Sequence, residues 1–418
     1  MLYYDKIFKE NLFIKRENYN WRFSMNNRLL HTPDGVRDIY NSECRKIMKL
    51  SEKIHNQLIK YGCSDIKTPT LEFFNVYDSQ NNAFDCRNMY KFFDKDGEIL
   101  VLRPDYTPAI ARCVAKYYKD ETLPLRFCYE GNTFINQSDY QGRLKETTQC
   151  GAEYIGDSSS FADAEMLALV VDSLKSVGLD EFQLSIGHAL YYEGLVKAAS
   201  LSLNQEEEIK SLIVNKNFLE LEKFIKTLDL ENDLLALFEG LNTFSVDIDK
   251  LNELEKYAQK YDRVLFAIQN LQELYKLLKL YKIDEYVSFE LGMISIHNYY
   301  TGMIFSGYTY GSGEPIVKGG RYDKLISRFG KDTPAIGFTI VVDQVMDALK
   351  NQSKQLEESY STELLVFSED RIEEAINIAS KLRKDGKNIQ TLMKNSNLSK
   401  EDYYEYAKKM NISRVEFL

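Results

Sequence analysis

The sequence predicts an α+β protein: a mainly antiparallel sheet flanked by helices, with an inserted helical subdomain and a small α/β unit at the carboxyl end. Three observations predict it. Short segments with period-2 alternation are bounded by turn residues, as strands are. Long leucine-rich stretches keep the helical period. The glycine-rich loops that open nucleotide-binding parallel sheets, GxxxxGK[ST] and GxGxxG, are both absent from the 418 residues.

Taken in order, residues 1–24 are rich in Tyr, Phe, Asn and Lys without a clean period and read as an N-terminal extension, with Met25 a candidate start of the body. Between Cys44 and Tyr61 the apolar Ile47, Leu50, Ile54, Leu58 and Tyr61 recur at helical spacing, and Gly62 is placed as a stop. Ile99–Leu102 and Leu125–Tyr129 read as strands, with Asp94–Gly97 as a turn. Phe182, Leu184 and Ile186 alternate with polar residues, the pattern of a half-buried strand. Residues 191–286 contain no proline and read as the helical insertion, with Leu271, Leu274, Tyr275, Leu278 and Tyr281 forming one stripe. Alternation returns at Val287, Phe289 and Leu291 and closes a core of residues 25–350. A polar linker, 351–361, precedes a βαβαβ unit over 362–418, in which Ile372, Ala375, Ile376, Ala379 and Leu382 mark the buried stripe of the first helix.

Composition narrows the class. A hydrophobic content of 44% lets this length bury a large core divided into two or three domains. No apolar run reaches about 18 residues and the opening stretch lacks the compact apolar segment of a signal peptide, so the expectation is a cytoplasmic protein with no membrane partner. Cys44, Cys63, Cys86, Cys113, Cys128 and Cys150 form no CxxC pair, which favours free buried thiols over a metal or disulfide framework. A formal charge of −10 argues against an extended phosphate-binding face. None of His31, His55, His188 and His297 has a partner at ligand or triad spacing, so no catalytic residue, metal or cofactor is assigned.

Six segments mix glycine, aromatic and charged residues as plain core elements do not: TPDGVRD (32–38), LRPDYTPAIAR (102–112), YEGNTFINQSDYQGRLKETTQCGAEYIG (129–156), YYTGMIF (299–305), GGRYDKL (319–325) and TPAIGF (333–338). Their order and spacing over Thr32–Leu349 resemble the histidyl-tRNA synthetase family. The resemblance implies a class II aminoacyl-tRNA synthetase-like core and a dimer. It also implies a histidine-binding set: Asp105 and Thr107 for the amino group, Gln149 and Glu153 for an amide and a second carboxylate, and Tyr299 and Tyr300 near the imidazole. Acceptors for an ammonium and for an imidazole N–H suit free histidine. Taken alone, Asp105 and Glu153 read as structural carboxylates, Gly319 and Gly320 as a tight turn, and Tyr299 and Tyr300 as strand residues of which only one faces a pocket.

Three departures bear on chemistry. The arginine of the family's F-R-x-E motif is Ile135 in Phe134-Ile135-Asn136-Gln137, the closing arginine is Gln344, and the R-G-x-D-YY segment reads Ser295-Ile296-His297-Asn298-Tyr299-Tyr300. Adenylate formation needs cations around a phosphate in flight, and losing one such donor costs about 3 to 4 kcal/mol of transition-state stabilisation. Arg103, Arg143 and Arg321 remain; Arg143 and backbone amides are candidates for the amino acid's carboxylate. Residues 362–418 resemble only the first part of the family's anticodon-binding domain, which argues against a nucleic-acid partner. This combination resembles the branch that serves as regulatory subunits of ATP phosphoribosyltransferase. That branch is non-catalytic and binds histidine. It assembles with a short-form catalytic subunit into a hetero-octamer and carries feedback inhibition in the first step of histidine biosynthesis. The alternative the motifs leave open is a divergent histidyl-tRNA synthetase performing ATP-dependent aminoacylation.

Overall fold

A computed structural model describes residues 29–78, 86–137, 143–243, 245–294, 299–354 and 361–418; the N-terminal extension, Ser295–Asn298 and most of the 351–361 linker lie outside them. Helix α1 (Asn41–Lys60) buries Ile47, Leu50, Ile54 and Leu58 on one stripe. Gly62, at φ +79°, then turns the chain away, a conformation a side chain would resist. Next come β1 (Ser64–Asp65), β2 (Leu71–Phe73), the single turn α2 (Phe74–Tyr77), β3 (Lys91–Phe93), β4 (Ile99–Leu102) and α3 (Thr107–Tyr117). The long pair β5 (Leu125–Phe134) and β6 (Glu146–Ile155) is followed by α4 (Ser160–Ser176), capped by the Ser159 hydroxyl accepting from Ala162 N–H.

After β7 (Phe182–His188) the chain runs through α5 (Ala189–Ala198), α6 (Leu203–Val214), α7 (Phe218–Thr227), α8 (Asn232–Glu239), α9 (Ile248–Ala258) and α10 (Asp262–Tyr281) before reaching β8 (Val287–Phe289). The core closes with β9 (Met303–Thr309), β10 (Val317–Arg321), β11 (Ala335–Val341) and α11 (Val342–Asn351). The carboxyl unit is β12 (Thr362–Phe367), α12 (Ile372–Lys384), β13 (Asn388–Met393), α13 (Lys400–Lys409) and β14 (Ile412–Phe417), a parallel sheet in the order β13-β12-β14. In α12 the buried face is Ala375 and Ala379 with Ile378 and Leu382 packed beside them, while Ile376 is 57% exposed. Ile376 thus leaves the stripe expected for it, because one residue along a helix turns the side chain by about 100°.

The large sheet has the order β1-β5-β6-β11-β10-β9-β7-β8 and is antiparallel inside, with parallel pairs only at its margins, β1 with β5 and β7 with β8. Alternation along the strands separates its faces. Cys150, Ala152 and Tyr154 of β6 and Ile336, Phe338 and Ile340 of β11 join α1, α4 and the insertion helices in one core, to which α10 adds Leu271, Leu274 and Leu278. The opposite face is covered at one end, where Tyr129 and Ile155 meet Ile110 and Val114 of α3 with Leu325 and Ile326. Helices thus fill one side, and a cleft is left on the other.

One buried ion pair joins the cleft strands to this framework. Arg321, at the end of β10, places Nη2 2.5 Å and Nε 3.0 Å from Asp163 of α4, and its Nη1 donates to the Asp157 carbonyl at 2.9 Å. Burial pushes the Asp163 carboxyl up to about 6 against the pull of Arg321. Removing one partner of such a pair leaves a buried charge uncompensated. Arg321→Met should therefore lower stability by about 3–5 kcal/mol in urea titrations near neutral pH. Without the pull of Arg321 burial holds the Asp163 carboxyl higher still, so the loss should grow as pH rises above about 6 and level off below it, where Asp163 carries a proton in both proteins.

Candidate functional site

Glu153 lies on the cleft side of β6 and is 1% exposed. Thr107 Oγ1 donates to its Oε1 at 2.7 Å, and the Tyr322 phenol donates to its Oε2 in a short hydrogen bond. Burial pushes the carboxyl up to about 8 and the charge of Asp105 adds to that, while the two hydrogen bonds pull the other way. The space comes from β11, where Gly337 is the partner of Glu153 in the register, and a Cβ there would overlap Oε2. Thr107 opens α3, with Pro108 supplying the backbone angle of the first turn.

Asp105 precedes that helix. Its Oδ1 accepts from Thr107 N–H at 3.2 Å, its Oδ2 accepts from the Tyr299 phenol at 3.1 Å, and its carbonyl accepts from Tyr77 at 2.9 Å. Tyr299 and Tyr300, with ring centroids 4.7 Å apart, both belong to this side of the sheet. This corrects the expectation that only one faces the pocket, since strict alternation holds within a strand and β9 begins only at Met303. Gly319 and Gly320 likewise form no turn but lie inside β10. A Cβ on Gly320 would stand 2.8 Å from the Tyr300 ring. Gln149 accepts from Thr339 at the long distance of 3.5 Å, and Thr339 also shares a short hydrogen bond with the Tyr129 phenol.

The structure thus gathers Asp105, Thr107, Glu153, Tyr299 and Tyr300 around one recess, with Gln149 farther along β6. Sequence reasoning missed Tyr322 and Thr339. The signal for Tyr322 lay in the GGRYDKL segment, where the glycines alone suggested a role; Thr339 had none. Acceptors at two carboxylates and phenols between them suit a small ligand with an ammonium and ring N–H groups.

Cations are differently placed. Arg103 is buried, donates to the carbonyls of Thr68 at 2.9 Å and Asn132 at 2.8 Å, and stacks over Tyr106 at 4.1 Å. Arg321 is held by Asp163, and Arg143 pairs with Glu314. Ile135 follows β5 and binds Lys145 through its backbone. Gln344, in the first turn of α11, accepts from the Ser312 hydroxyl at 2.9 Å. Ser295–Asn298 lie outside the described residues. Elsewhere, His55, Asp65 and Cys128 bring ligand-type atoms within 4.8 Å of one another. His55 bonds Asp65 at 2.6 Å, and burial pushes the Cys128 thiol up to about 12.

A recess of this kind on an antiparallel sheet backed by helices defines a class II synthetase-like protein. The profile of the family described as histidyl-tRNA synthetase matches residues 35–345. A protein of Ruminiclostridium cellulolyticum named ATP phosphoribosyltransferase regulatory subunit is 38% identical over 381 residues, 91% of each chain. A Bacillus halodurans structure titled ATP phosphoribosyltransferase regulatory subunit/histidyl-tRNA synthetase superposes with TM-score 0.80 at 29% identity, covering 93% of this chain and 97% of that one. Histidyl-tRNA synthetase from Nostoc shares the fold with TM-score 0.75 at 21% identity, over 91% of this chain and 90% of its own. The chain belongs to the histidyl-tRNA synthetase family, within its group of ATP phosphoribosyltransferase regulatory subunits.

The raised carboxyl of Glu153 sets a pH dependence. A folded-state pKa of about 8 against an ordinary value of 4.5 means the folded protein binds the proton more tightly, so this group lowers stability progressively as pH rises between those values. Glu153→Gln removes that dependence. The melting temperature of the unliganded variant relative to the parent should increase from pH 6 to pH 9; a pH-independent difference would mean that Glu153 titrates normally.

Proposed function

We propose that this chain is a non-catalytic, histidine-binding regulatory subunit that works in the cytoplasm with a short-form ATP phosphoribosyltransferase catalytic subunit, at the first step of histidine biosynthesis. The observation that carries the reading is the asymmetry of the cleft. Its amino-acid end has Asp105, Thr107, Glu153, Tyr299 and Tyr322 joined in hydrogen bonds. The positions where the family motifs have arginine hold the neutral Ile135 and Gln344. The names of the relatives support the same reading.

On this reading the ammonium of histidine meets Asp105 and Thr107, and its imidazole meets Glu153 between the phenols. An activated phosphate would find no arginine at either neutral position, so the synthetase reaction is lost. The chain self-associates as a dimer within a hetero-octamer and needs neither nucleic acid nor cofactor. Inhibition by histidine requires that its affinity differ between the active and inactive assemblies, and substrates of the catalytic subunit then weaken histidine binding by the same factor. A coupling of about 1–3 kcal/mol is typical of such systems.

Calorimetric titration of the full chain with histidine should give saturable binding, weakened at least about tenfold by Asp105→Ala through loss of a charged hydrogen bond. Adding the chain to the catalytic subunit should restore phosphoribosyl transfer and make it histidine-sensitive. Histidine-dependent ATP–pyrophosphate exchange by the chain alone would instead establish the synthetase reading.

A further inference from the structure

We infer that Lys318 anchors the carboxylate of the bound amino acid, supplying from the floor of the cleft the positive charge that the neutral positions lack. The inference rests on the reading of the recess as a histidine site and adds a residue that the motifs do not mark.

Register places it. On β10, Lys318 is directly opposite Thr339 of β11 and Ser306 of β9, so it projects from the same face as the Thr339 hydroxyl that bonds Gln149 and Tyr129. Gly320, beneath Tyr300, is two residues along the same strand on the same face. Glu153 is two strands away, on β6. Two strand spacings of about 4.8 Å and one two-residue step of about 6.7 Å separate the Lys318 and Glu153 backbones by roughly 12 Å. A glutamate, a histidine lying across the recess and a four-carbon lysine stem together bridge that gap.

Charge and solvation agree with the position. The other arginines of the cleft are engaged: Arg103 by carbonyls, Arg321 by Asp163 and Arg143 by Glu314. Lys318 is solvent-accessible, and Glu314 is the acidic group acting on it. The walls around it still push its pKa down, Arg143 adding to the effect and Glu314 opposing it. A carboxylate arriving beside this ammonium would offset its lost hydration, whereas a lysine facing open water gains little from a partner. With Asp105 and Glu153 holding the nitrogen groups, the carboxylate of a zwitterion is directed away from them, toward the row of Gln149, Thr339 and Lys318.

The test compares two ligands with the same imidazole and amino group, L-histidine and L-histidinol, the second lacking the carboxylate. Calorimetry on the parent chain, Lys318→Met and Lys318→Arg, with melting curves to check folding, should show Lys318→Met weakening histidine about tenfold or more. Histidinol should change less than about twofold, and Lys318→Arg should retain most of the histidine affinity, since the arginine keeps the charge. Equal loss for both ligands would assign Lys318 a structural role, and no loss for histidine would make it a solvated surface residue; either overturns the inference while leaving the pocket intact. Failure of the parent chain to bind either ligand would overturn the pocket itself and the anchor with it.

Discussion

A carboxylate without access to water lies near the middle of the large sheet, and the surroundings of Glu153 follow from what such a group requires. Burying it costs several kcal/mol unless donors replace its hydration. The Thr107 hydroxyl and the Tyr322 phenol come from separate places, the start of α3 and the residue just after β10, so satisfying one residue fixes the positions of two segments far apart in sequence. Each segment is then secured from behind. Tyr77 holds the loop before α3 through the Asp105 carbonyl, and Arg321, adjacent to Tyr322, is held by Asp163 and by the carbonyl of Asp157. The two families of bonds, one facing the cleft and one facing the helices, meet at neighbouring residues.

Much of this is legible in the chain because the relevant residues travel in compact motifs. Asp105 and Thr107 share one segment, Tyr299 and Tyr300 another, and the period of the leucines over 271–278 suffices to place α10. What stays hidden depends on register. Thr339 and Lys318 acquire meaning only when β10 and β11 pair with one particular offset, and no local pattern in the sequence encodes that offset. Tyr322 is hidden differently: the glycines before it read as a turn, whereas in the sheet they clear space for Phe305 and Tyr300. Ile376 misleads because it and Ala375 are both apolar, and only packing shows which of two neighbouring residues faces inward.

On the proposed reading, one scaffold separates recognition from reaction. Recognition of a small polar molecule needs acceptors and donors at fixed spacing, which sheet and helix termini supply. Phosphate activation needs, in addition, positive charge where new charge develops. The hydrogen bonds around Glu153 run through Thr107 and Tyr322, whereas Ile135 bonds Lys145 and Gln344 bonds Ser312. Loss of one capacity therefore need not damage the other.

The depth of the recess is made by side chains that are missing. Gly337 leaves room for the Glu153 carboxylate, and Gly320 leaves room for the Tyr300 ring. A single added methyl at either place would meet the Glu153 carboxylate or the Tyr300 ring and force it to shift. If the recess holds histidine as proposed, mutational drift can thus erase recognition without altering any group that touches the ligand. An inventory of contact residues would judge the resulting variant intact, although its cavity had been filled from below.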